Sequence, residues 1–253
     1  MDRHERILQI LKDKKKVKVQ YLSEVLNTST VTIRKDLKLL EAKKLLFRVH
    51  GGASLEQPFV NDKHINEKEF IHAKEKDAIG RQAARIISED QFIIIASGTT
   101  VLALARHINP QNKITIVTSA LNVALELLNK ENVEILQLGG YIRDTSYSVI
   151  GHYSELILKE IACSKLFLSV DGLDLEYGLS TSNGLEAHLN QQMIEASKEV
   201  VVLLDSSKFG KKSFGRICGL EHVDRIITDA NIPQDINKKL VDMGITVTIA
   251  GTE

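Results

Sequence analysis

The stretch from Phe92 to His107 reads FIIIASGTTVLALARH, and it decides the fold that the sequence predicts. The apolar run Phe92–Ala96 has the length and residue types of a buried strand. The small residues Ser97–Thr100 predict a turn, and apolar residues at helical spacing then continue to about His107. A strand that passes through a short polar loop into a helix is the repeating unit of an α/β protein.

The same alternation extends along the chain in both directions. Further strands are predicted at Ile114–Thr118, Glu134–Leu138, Leu166–Val170, Val200–Leu204, Arg225–Thr228 and Thr246–Ile249. Helices are predicted at Asp77–Ile87, Ala120–Leu128, Glu155–Ala162, Glu186–Lys198 and Pro233–Met243. Because these strands are nearly continuous in Ile, Val and Leu, both faces of the sheet are expected to be covered by helices. We therefore expect a doubly wound, mostly parallel α/β domain over residues 76–253, preceded over residues 57–75 by a polar linker with one weak helix.

The first 56 residues predict a different kind of domain. Apolar residues at helical spacing indicate helices over residues 3–13, 20–26 and 30–43, and the last begins at Ser29, a favourable N-cap residue. A strand at Leu45–Val49 ends at two glycines. Two helices joined by a short turn and followed by a hairpin are typical of a winged helix-turn-helix.

Charge supports a DNA-binding role for this first domain. The whole chain has 33 basic and 33 acidic residues, yet residues 1–52 carry 13 Lys or Arg against 6 Asp or Glu. The outer face of the third helix offers hydroxyl and cationic side chains that suit phosphates and base edges in a major groove. These are Ser29, Thr30, Thr32, Arg34, Lys35 and Lys38. The alternative is a small helical subdomain with a solvated basic face.

Polar residues and glycines at the strand ends of the larger domain predict a ligand site. Ligands of open α/β sheets bind outside the carboxyl ends of the strands. Ser97, Gly98, Thr99 and Thr100 open a helix and suit a phosphate, whereas Lys208 would neutralise one. The other candidates are Gly139 and Gly140 for close backbone approach, Asp171, Gly172 and Asp174 in a loop that would accept sugar hydroxyls, and Glu186 at a helix start. Ordinary turns, helix starts and surface charges are the alternative for each.

Two groups of motifs resemble the DeoR/GlpR family of bacterial transcriptional repressors. The first comprises Ser29, Thr32 and Arg34–Leu37, followed by Leu46, Arg48 and His50–Ala53. The second comprises Ala96–Thr100, Val170–Asp174 and Asp205–Gly210. The chain departs from the family pattern at Lys35, Lys44 and Ala96, which stand for an arginine, a glycine and an aspartate. The resemblance covers essentially the whole chain, and it adds Arg48 and His50 to the candidate DNA contacts.

The resemblance implies a repressor of carbohydrate catabolism that binds a double-stranded DNA operator and is relieved by a phosphorylated sugar. It also implies an effector domain similar to ribose-5-phosphate isomerases, so a sugar-phosphate isomerase carrying a DNA-binding domain is the alternative. Residues 166–197 contain neither Lys nor Arg, although isomerisation needs a cation to stabilise an enediolate. We therefore expect a sensor with no catalytic residues and no cofactor.

Composition excludes several other classes of protein. With 43% hydrophobic and 26% charged residues, the chain is neither disordered nor of low complexity. Its longest uncharged stretch, Gln91–Ala105, is too short and polar to span a membrane. No metal-ligand spacing occurs, and the two cysteines, Cys163 and Cys218, indicate buried thiols in a reducing compartment. We expect a cytoplasmic homodimer or homotetramer.

Overall fold

The computed structural model describes residues 2–43, 45–49, 51–54, 64–87 and 91–251. The chain divides into two compact units, Met1–Phe59 and Val60–Glu253. Lys44 and His50, two positions singled out in the sequence, lie outside the described residues.

Unit 1 is a three-helix domain with a small antiparallel sheet. Its elements are α1 (Arg3–Lys14), β1 (Lys16–Lys18), α2 (Val19–Val25), α3 (Thr30–Ala42), β2 (Phe47–Val49) and β3 (Gly52–Ser54). The strands are ordered β1-β3-β2, so the β2–β3 hairpin forms the wing. The predicted helices and the wing of the winged helix-turn-helix are confirmed within these residues.

The helix pattern of unit 1 follows from its apolar spacing. Ile33, Leu37 and Leu40 lie on one face of α3 and are at most 1% exposed, in a core that they share with Ile7 and Leu22. The Ser29 side chain accepts a hydrogen bond from the Thr32 amide, which confirms the predicted N-cap. The polar face of α3 is therefore turned away from the core.

Unit 2 contains a seven-stranded parallel sheet with helices on both faces. Its helices are α4 (Ile65–Phe70), α5 (Ala73–Ala84), α6 (Thr99–His107), α7 (Leu121–Leu127), α8 (His152–Lys159), α9 (Gly184–Glu195) and α10 (Gln234–Asp242). Its strands are β4 (Phe92–Ile95), β5 (Ile114–Thr118), β6 (Val133–Gln137), β7 (Tyr141–Arg143), β8 (Ser148–Ile150), β9 (Cys163–Ser169), β10 (Gly172–Asp174), β11 (Gly178–Thr181), β12 (Ser197–Leu203), β13 (Gly215–Cys218), β14 (Arg225–Asp229) and β15 (Thr246–Ala250).

The strand order of the main sheet is β15-β14-β12-β9-β4-β5-β6. From β4, strands β5 and β6 extend the sheet in one direction. The next strand in the chain, β9, pairs with the other edge of β4, so the order in which strands are added reverses there. Along β4, Ile93 and Ile95 pack in one core with α5, α6 and α7, whereas Ile94 packs in the other with α8, α9 and α10. These two cores confirm the predicted doubly wound fold.

Two smaller sheets were not predicted from the sequence. The β7–β8 hairpin follows the edge strand β6, and the antiparallel sheet β10-β11-β13 follows the end of β9. Their strands are only three or four residues long, so they carry too little periodicity to be recognised. They matter because they determine where the polar loops of the domain point.

The structure also differs from the expected linker. Residues 64–87 belong to unit 2, where α4 and the first turn of α5 occupy positions expected to be linker. Ile65 is only 4% exposed, and Lys68 forms an ion pair with Asp171. A short helix with one buried apolar residue resembles a polar connector in sequence, which explains the difference. Residues 57–63 lie outside the described part of the chain.

Candidate ligand cleft and nucleic-acid interface

A cleft opens at the carboxyl ends of β4, β9 and β12 in unit 2. This is the end of the sheet at which open α/β folds bind ligands, close to the reversal in strand order. The described residues that line it are Ile65, Lys68, Ser97, Gly98, Thr99, Thr100, Thr145, Ser146, Ser169, Val170, Asp171, Thr181, Ser182, Glu186, Asn190 and Lys208. The lining is rich in hydroxyls and carries both signs of charge.

The amino terminus of α6 supplies backbone donors to this cleft. The first helical hydrogen bond runs from the Leu102 amide to the Gly98 carbonyl, so the amides of Thr99 and Thr100 precede it. Gly98 is the N-cap residue, with φ 131° and ψ 162°. The partial positive charge of a helix amino terminus, together with two threonine hydroxyls, suits an anion.

Asp171 is the centre of the charged part of the cleft. Lys68 Nζ lies 2.9 Å from Asp171 Oδ1, and Lys208 Nζ lies 4.0 Å from the same oxygen. The second oxygen, Oδ2, accepts hydrogen bonds from the Thr181 hydroxyl at 3.2 Å and the Ser182 amide at 3.0 Å. One carboxylate therefore contacts groups from three separate parts of unit 2.

This arrangement shifts the pKa values of its members. Burial alone would raise the pKa of Asp171, but the charges of Lys68 and Lys208 and the hydrogen bonds outweigh it and hold the pKa below its ordinary value. Burial lowers the pKa of Lys208, against the opposing charges of Asp171 and Asp205. Asp171 is thus an anion at neutral pH with two ammonium groups beside it.

A second carboxylate, Glu186, lies at the start of α9. Its Oε1 accepts hydrogen bonds from the hydroxyls of Ser146 and Ser148, both at 2.5 Å, and lies 3.5 Å from Arg143 Nε. Glu186 is 6% exposed, so its carboxylate is held rigidly at the edge of the cleft. Carboxylates fixed in this way are good acceptors for the hydroxyls of a bound ligand.

The basic face of α3 in unit 1 is exposed. Arg34, Lys35 and Lys38 point to solvent, and none has an ion-pair partner among the described residues. The Ser29 and Thr32 hydroxyls are 2.9 Å apart at the amino terminus of the helix, next to the half-buried Thr30. Exposed cations along one face of a helix, with hydroxyls at its amino terminus, suit the phosphates and base edges of a nucleic acid.

Two ion pairs hold this face in position. Arg48 on the wing lies 3.7 Å from Glu41 on α3, and its amide donates to the same carboxylate. Asp36, on the inner side of α3, is 4% exposed and accepts hydrogen bonds from Arg3 Nε at 2.6 Å and from His4. The hydrogen bond from Arg3 is the main reason why the pKa of Asp36 lies below its ordinary value. Sequence reasoning assigned Asp36 no role.

Both units match known family models. Residues 3–59 match the DeoR-like helix-turn-helix domain, and residues 71–230 match the DeoR C terminal sensor domain. The chain belongs to the DeoR family of transcriptional regulators.

Relatives of the DeoR-family chain align along nearly its whole length. A putative aga operon transcriptional repressor of Escherichia coli O157:H7 is 36% identical and covers 99% of this chain and 94% of its own. The uncharacterized HTH-type transcriptional regulator YulB of Bacillus subtilis is 35% identical, and the match covers 98% of this chain and 95% of that protein. A ribose 5 phosphate isomerase A from Neisseria gonorrhoeae has a TM-score of 0.39 at 14% identity, with 53% and 52% covered.

The sensor domain brings together most of the predicted ligand residues. Seven of them line the cleft, namely Ser97, Gly98, Thr99, Thr100, Asp171, Glu186 and Lys208. They come from four separate segments of the sensor domain. Their convergence agrees with the expectation that ligand groups gather where parallel strands end.

The other four predicted ligand residues are not among the described residues that line the cleft. Asp174 accepts hydrogen bonds from the amides of Glu176 and Tyr177, so it closes the β10–β11 turn. A Cβ on Gly172 would lie 2.5 Å from the Lys211 carbonyl oxygen, and one on Gly140 would lie 2.4 Å from that of Ile150. The Gly139 carbonyl accepts from Ser154. Gly140, Gly172 and Asp174 therefore belong to the small sheets and their turns, whereas Gly139 contacts helix α8.

Sequence reasoning missed several lining groups of the sensor domain. Lys68 lay in the expected linker, and Ser146 lay in a stretch with no predicted element. The expectation that the carboxylates lack a nearby cation is wrong, because Lys68 and Lys208 reach Asp171 from outside residues 166–197. Family membership, rather than a missing cation, shows that the chain is a regulator and not an enzyme.

Two further expectations can be compared with the structure of the DeoR-family chain. Cys163 and Cys218 are buried free thiols, as predicted, and burial raises their pKa values to about 11 and about 12. Within the described residues, no helix combines the length and the apolar character needed to cross a lipid bilayer.

Proposed function

We propose that this regulator represses a carbohydrate-catabolism operon and that a phosphorylated sugar, bound in the cleft of unit 2, relieves the repression. The aga operon repressor supports the operon class, as does a lactose phosphotransferase system repressor of Staphylococcus epidermidis that is 33% identical and covers 94% of this chain and of its own. A cytoplasmic location follows from a role on DNA.

The observation that carries this proposal is the pairing of an anion site with fixed carboxylates in one cleft. The α6 amides, the Thr99 and Thr100 hydroxyls and Lys208 would hold a phosphate, which carboxylates would repel. Asp171 and Glu186 would accept hydrogen bonds from sugar hydroxyls, which readily donate to carboxylates. Of the two aspartates that the sequence predicted for this task, Asp171 alone lines the cleft.

Calorimetry with matched pairs of sugars and sugar phosphates tests this assignment. We expect each unphosphorylated sugar to bind at least about tenfold more weakly, because it lacks the charge-assisted hydrogen bonds. Asp171→Asn should weaken both members of a pair, since it alters hydroxyl recognition and the Lys68 contact. Equal affinity for both members of every pair would overturn the phosphate assignment, and turnover of the ligand would revive the isomerase alternative.

We propose that unit 1 binds double-stranded operator DNA through the exposed face of α3 and through the wing. The contacts would come from Ser29, Thr30, Thr32, Arg34, Lys35, Lys38 and Arg48. His50 remains a candidate for the same role, although it lies outside the described residues. A homo-oligomer would place two such units on neighbouring half-sites, with self-association provided by the domain that follows the linker.

A further inference from the structure

Helix α4 forms one wall of the cleft in unit 2. It has six residues, and isolated helices of that length are not stable in water. Ile65 and Lys68, three positions apart on the same side of the helix, both line the cleft. The order of α4 must therefore come from contacts with its neighbours.

Those contacts lead directly to ligand-facing groups. The Ile65 amide donates to the Thr145 carbonyl at 2.7 Å, and Lys68 Nζ lies 2.9 Å from Asp171. Both Thr145 and Asp171 line the cleft. At the other end of the helix, the buried ammonium group of Lys76 donates to the Lys68 carbonyl. Lys68 is thus held by its side chain on the cleft side and by its carbonyl on the α5 side.

The charges around Lys68 leave room for an anionic ligand. The charged groups that interact here are the ammonium groups of Lys68, Lys76, Lys208 and Lys211 and the carboxylates of Glu69, Asp171 and Asp205. The cluster therefore has one positive charge in excess. A phosphate beside it would share the Lys68 ammonium with Asp171, or take it over.

We propose that Lys68 is the ligand contact that transmits occupancy of the cleft, because its helix α4 moves with it when an anionic ligand draws its ammonium group away from Asp171. This inference rests on the proposed function. A ligand regulates only if it binds two states with different affinity, and the competition between ligand and Asp171 for Lys68 supplies such a difference. In chain order, helix α4 is the first described element of unit 2.

The test compares Lys68→Met with Lys208→Met in the full chain. Both lysines line the cleft and approach the same Asp171 oxygen, but only Lys68 lies on α4. A panel of hexose, hexosamine, ketose and pentose phosphates is titrated against each protein by calorimetry. For every phosphate that binds, operator affinity is measured without it and at saturation, and each variant is normalised to its own ligand-free value.

We expect both variants to bind the phosphate about tenfold or more weakly. At saturation, Lys208→Met should retain the wild-type change in operator affinity, whereas Lys68→Met should change by less than about twofold, against typical allosteric factors of about 5–150. Lys68→Arg, which keeps the charge, should restore most of the response. In wild type, the ligand should alter amide hydrogen exchange in residues 65–72, and in Lys68→Met it should not.

The outcomes separate the two proposals. A full response of saturated Lys68→Met, or equal losses of response in Lys68→Met and Lys208→Met, would overturn the role of Lys68 and leave the sugar-phosphate sensor intact. If no phosphate in the panel binds the wild-type protein, the proposed function itself is overturned, and the role of Lys68 with it.

Discussion

Gly98 is the residue on which the proposed anion site depends most directly. Its φ of 131° and ψ of 162° lie in a region that is essentially restricted to glycine. A Cβ there would also lie 2.7 Å from Ser169 Cβ, on a strand of the main sheet. Gly98→Ala should therefore cost about 1–3 kcal/mol in backbone strain and displace the first turn of α6. We expect loss of the ligand response, measured as the operator affinity at saturating sugar phosphate, while operator binding persists.

Gly139→Ala is the matched control for that substitution. A Cβ on Gly139 meets no atom within 4 Å, and this residue is not among those that line the cleft. Its ligand response should equal that of the wild type. A normal response in Gly98→Ala would show that the start of α6 does not hold the ligand.

Lys76 makes the stability of the protein depend on pH. Burial, helped by the charges of Lys208 and Lys68 and opposed by that of Asp205, lowers its pKa from 10.5 to about 8. Between these two pH values the unfolded chain binds a proton that the folded chain has released, so the free energy of unfolding rises with pH. Relative to Lys76→Met, the wild type should gain about 1 kcal/mol from pH ~8 to pH ~9 in denaturant titrations.

The buried cysteines act in the opposite direction in wild type and variant alike, so the comparison with Lys76→Met cancels their effect. The pKa values of Cys163 and Cys218 are raised from 9.0, so above that pH the unfolded chain loses thiol protons that the folded chain keeps. Lys74→Met, which removes an exposed lysine from the same helix, is the control. Parallel pH profiles for wild type and Lys76→Met would contradict the lowered pKa.

At the scale of secondary structure, the two faces of helix α3 have different roles. Its inner face packs in the core of unit 1, and its outer face carries Arg34 and Lys38. If Arg34 reads a base edge, Arg34→Ala should weaken specific operator binding by about 1–3 kcal/mol and relax the sequence preference at one position. Gel-shift titrations on operator variants measure both effects.

Lys38→Ala is the comparison on the same helix. A lysine that contacts only phosphate should weaken all DNA sequences alike and reduce the slope of log affinity against log salt by about 1. If Arg34→Ala alters neither the operator affinity nor the sequence preference, α3 is not the recognition helix. If Lys38→Ala changes the sequence preference, its assignment to the phosphate backbone is wrong.

At the scale of the whole molecule, we expect the regulator to act as a homo-oligomer. A single winged helix-turn-helix with a short recognition helix buries too little surface for tight specific binding. An oligomer that binds two symmetric half-sites buries enough. Light scattering of the full chain at operator-binding concentrations should give two or four times 28.2 kDa. A footprint should show two protected half-sites one or more helical turns apart, about 10 base pairs per turn. A monomer that gives a full footprint would contradict this expectation.

The sequence by itself determined the strands of the main sheet, most of the helices and the order of these elements. Helix and strand patterns arise from contacts within a few residues, so the core face of α3, the Ser29 cap and the strand–SGTT–helix unit could be derived locally. The rule that ligands bind at the carboxyl ends of parallel strands then identified the α6 terminus and Asp171 as lining residues. The strands of the two small sheets were not predicted, because strands of three or four residues show little periodicity.

Only the tertiary structure decided which charges meet. Lys68 reaches Asp171 across 103 positions, and Ser146 reaches Glu186 across 40. Such separations are set by how the helices and hairpins pack, which no local pattern specifies. Asp174 is likewise not among the described residues that line the cleft, because its carboxylate accepts hydrogen bonds from backbone amides of the β10–β11 turn. Local residue types thus fixed the scaffold and its anion site, whereas long-range packing chose the partners of the buried charges.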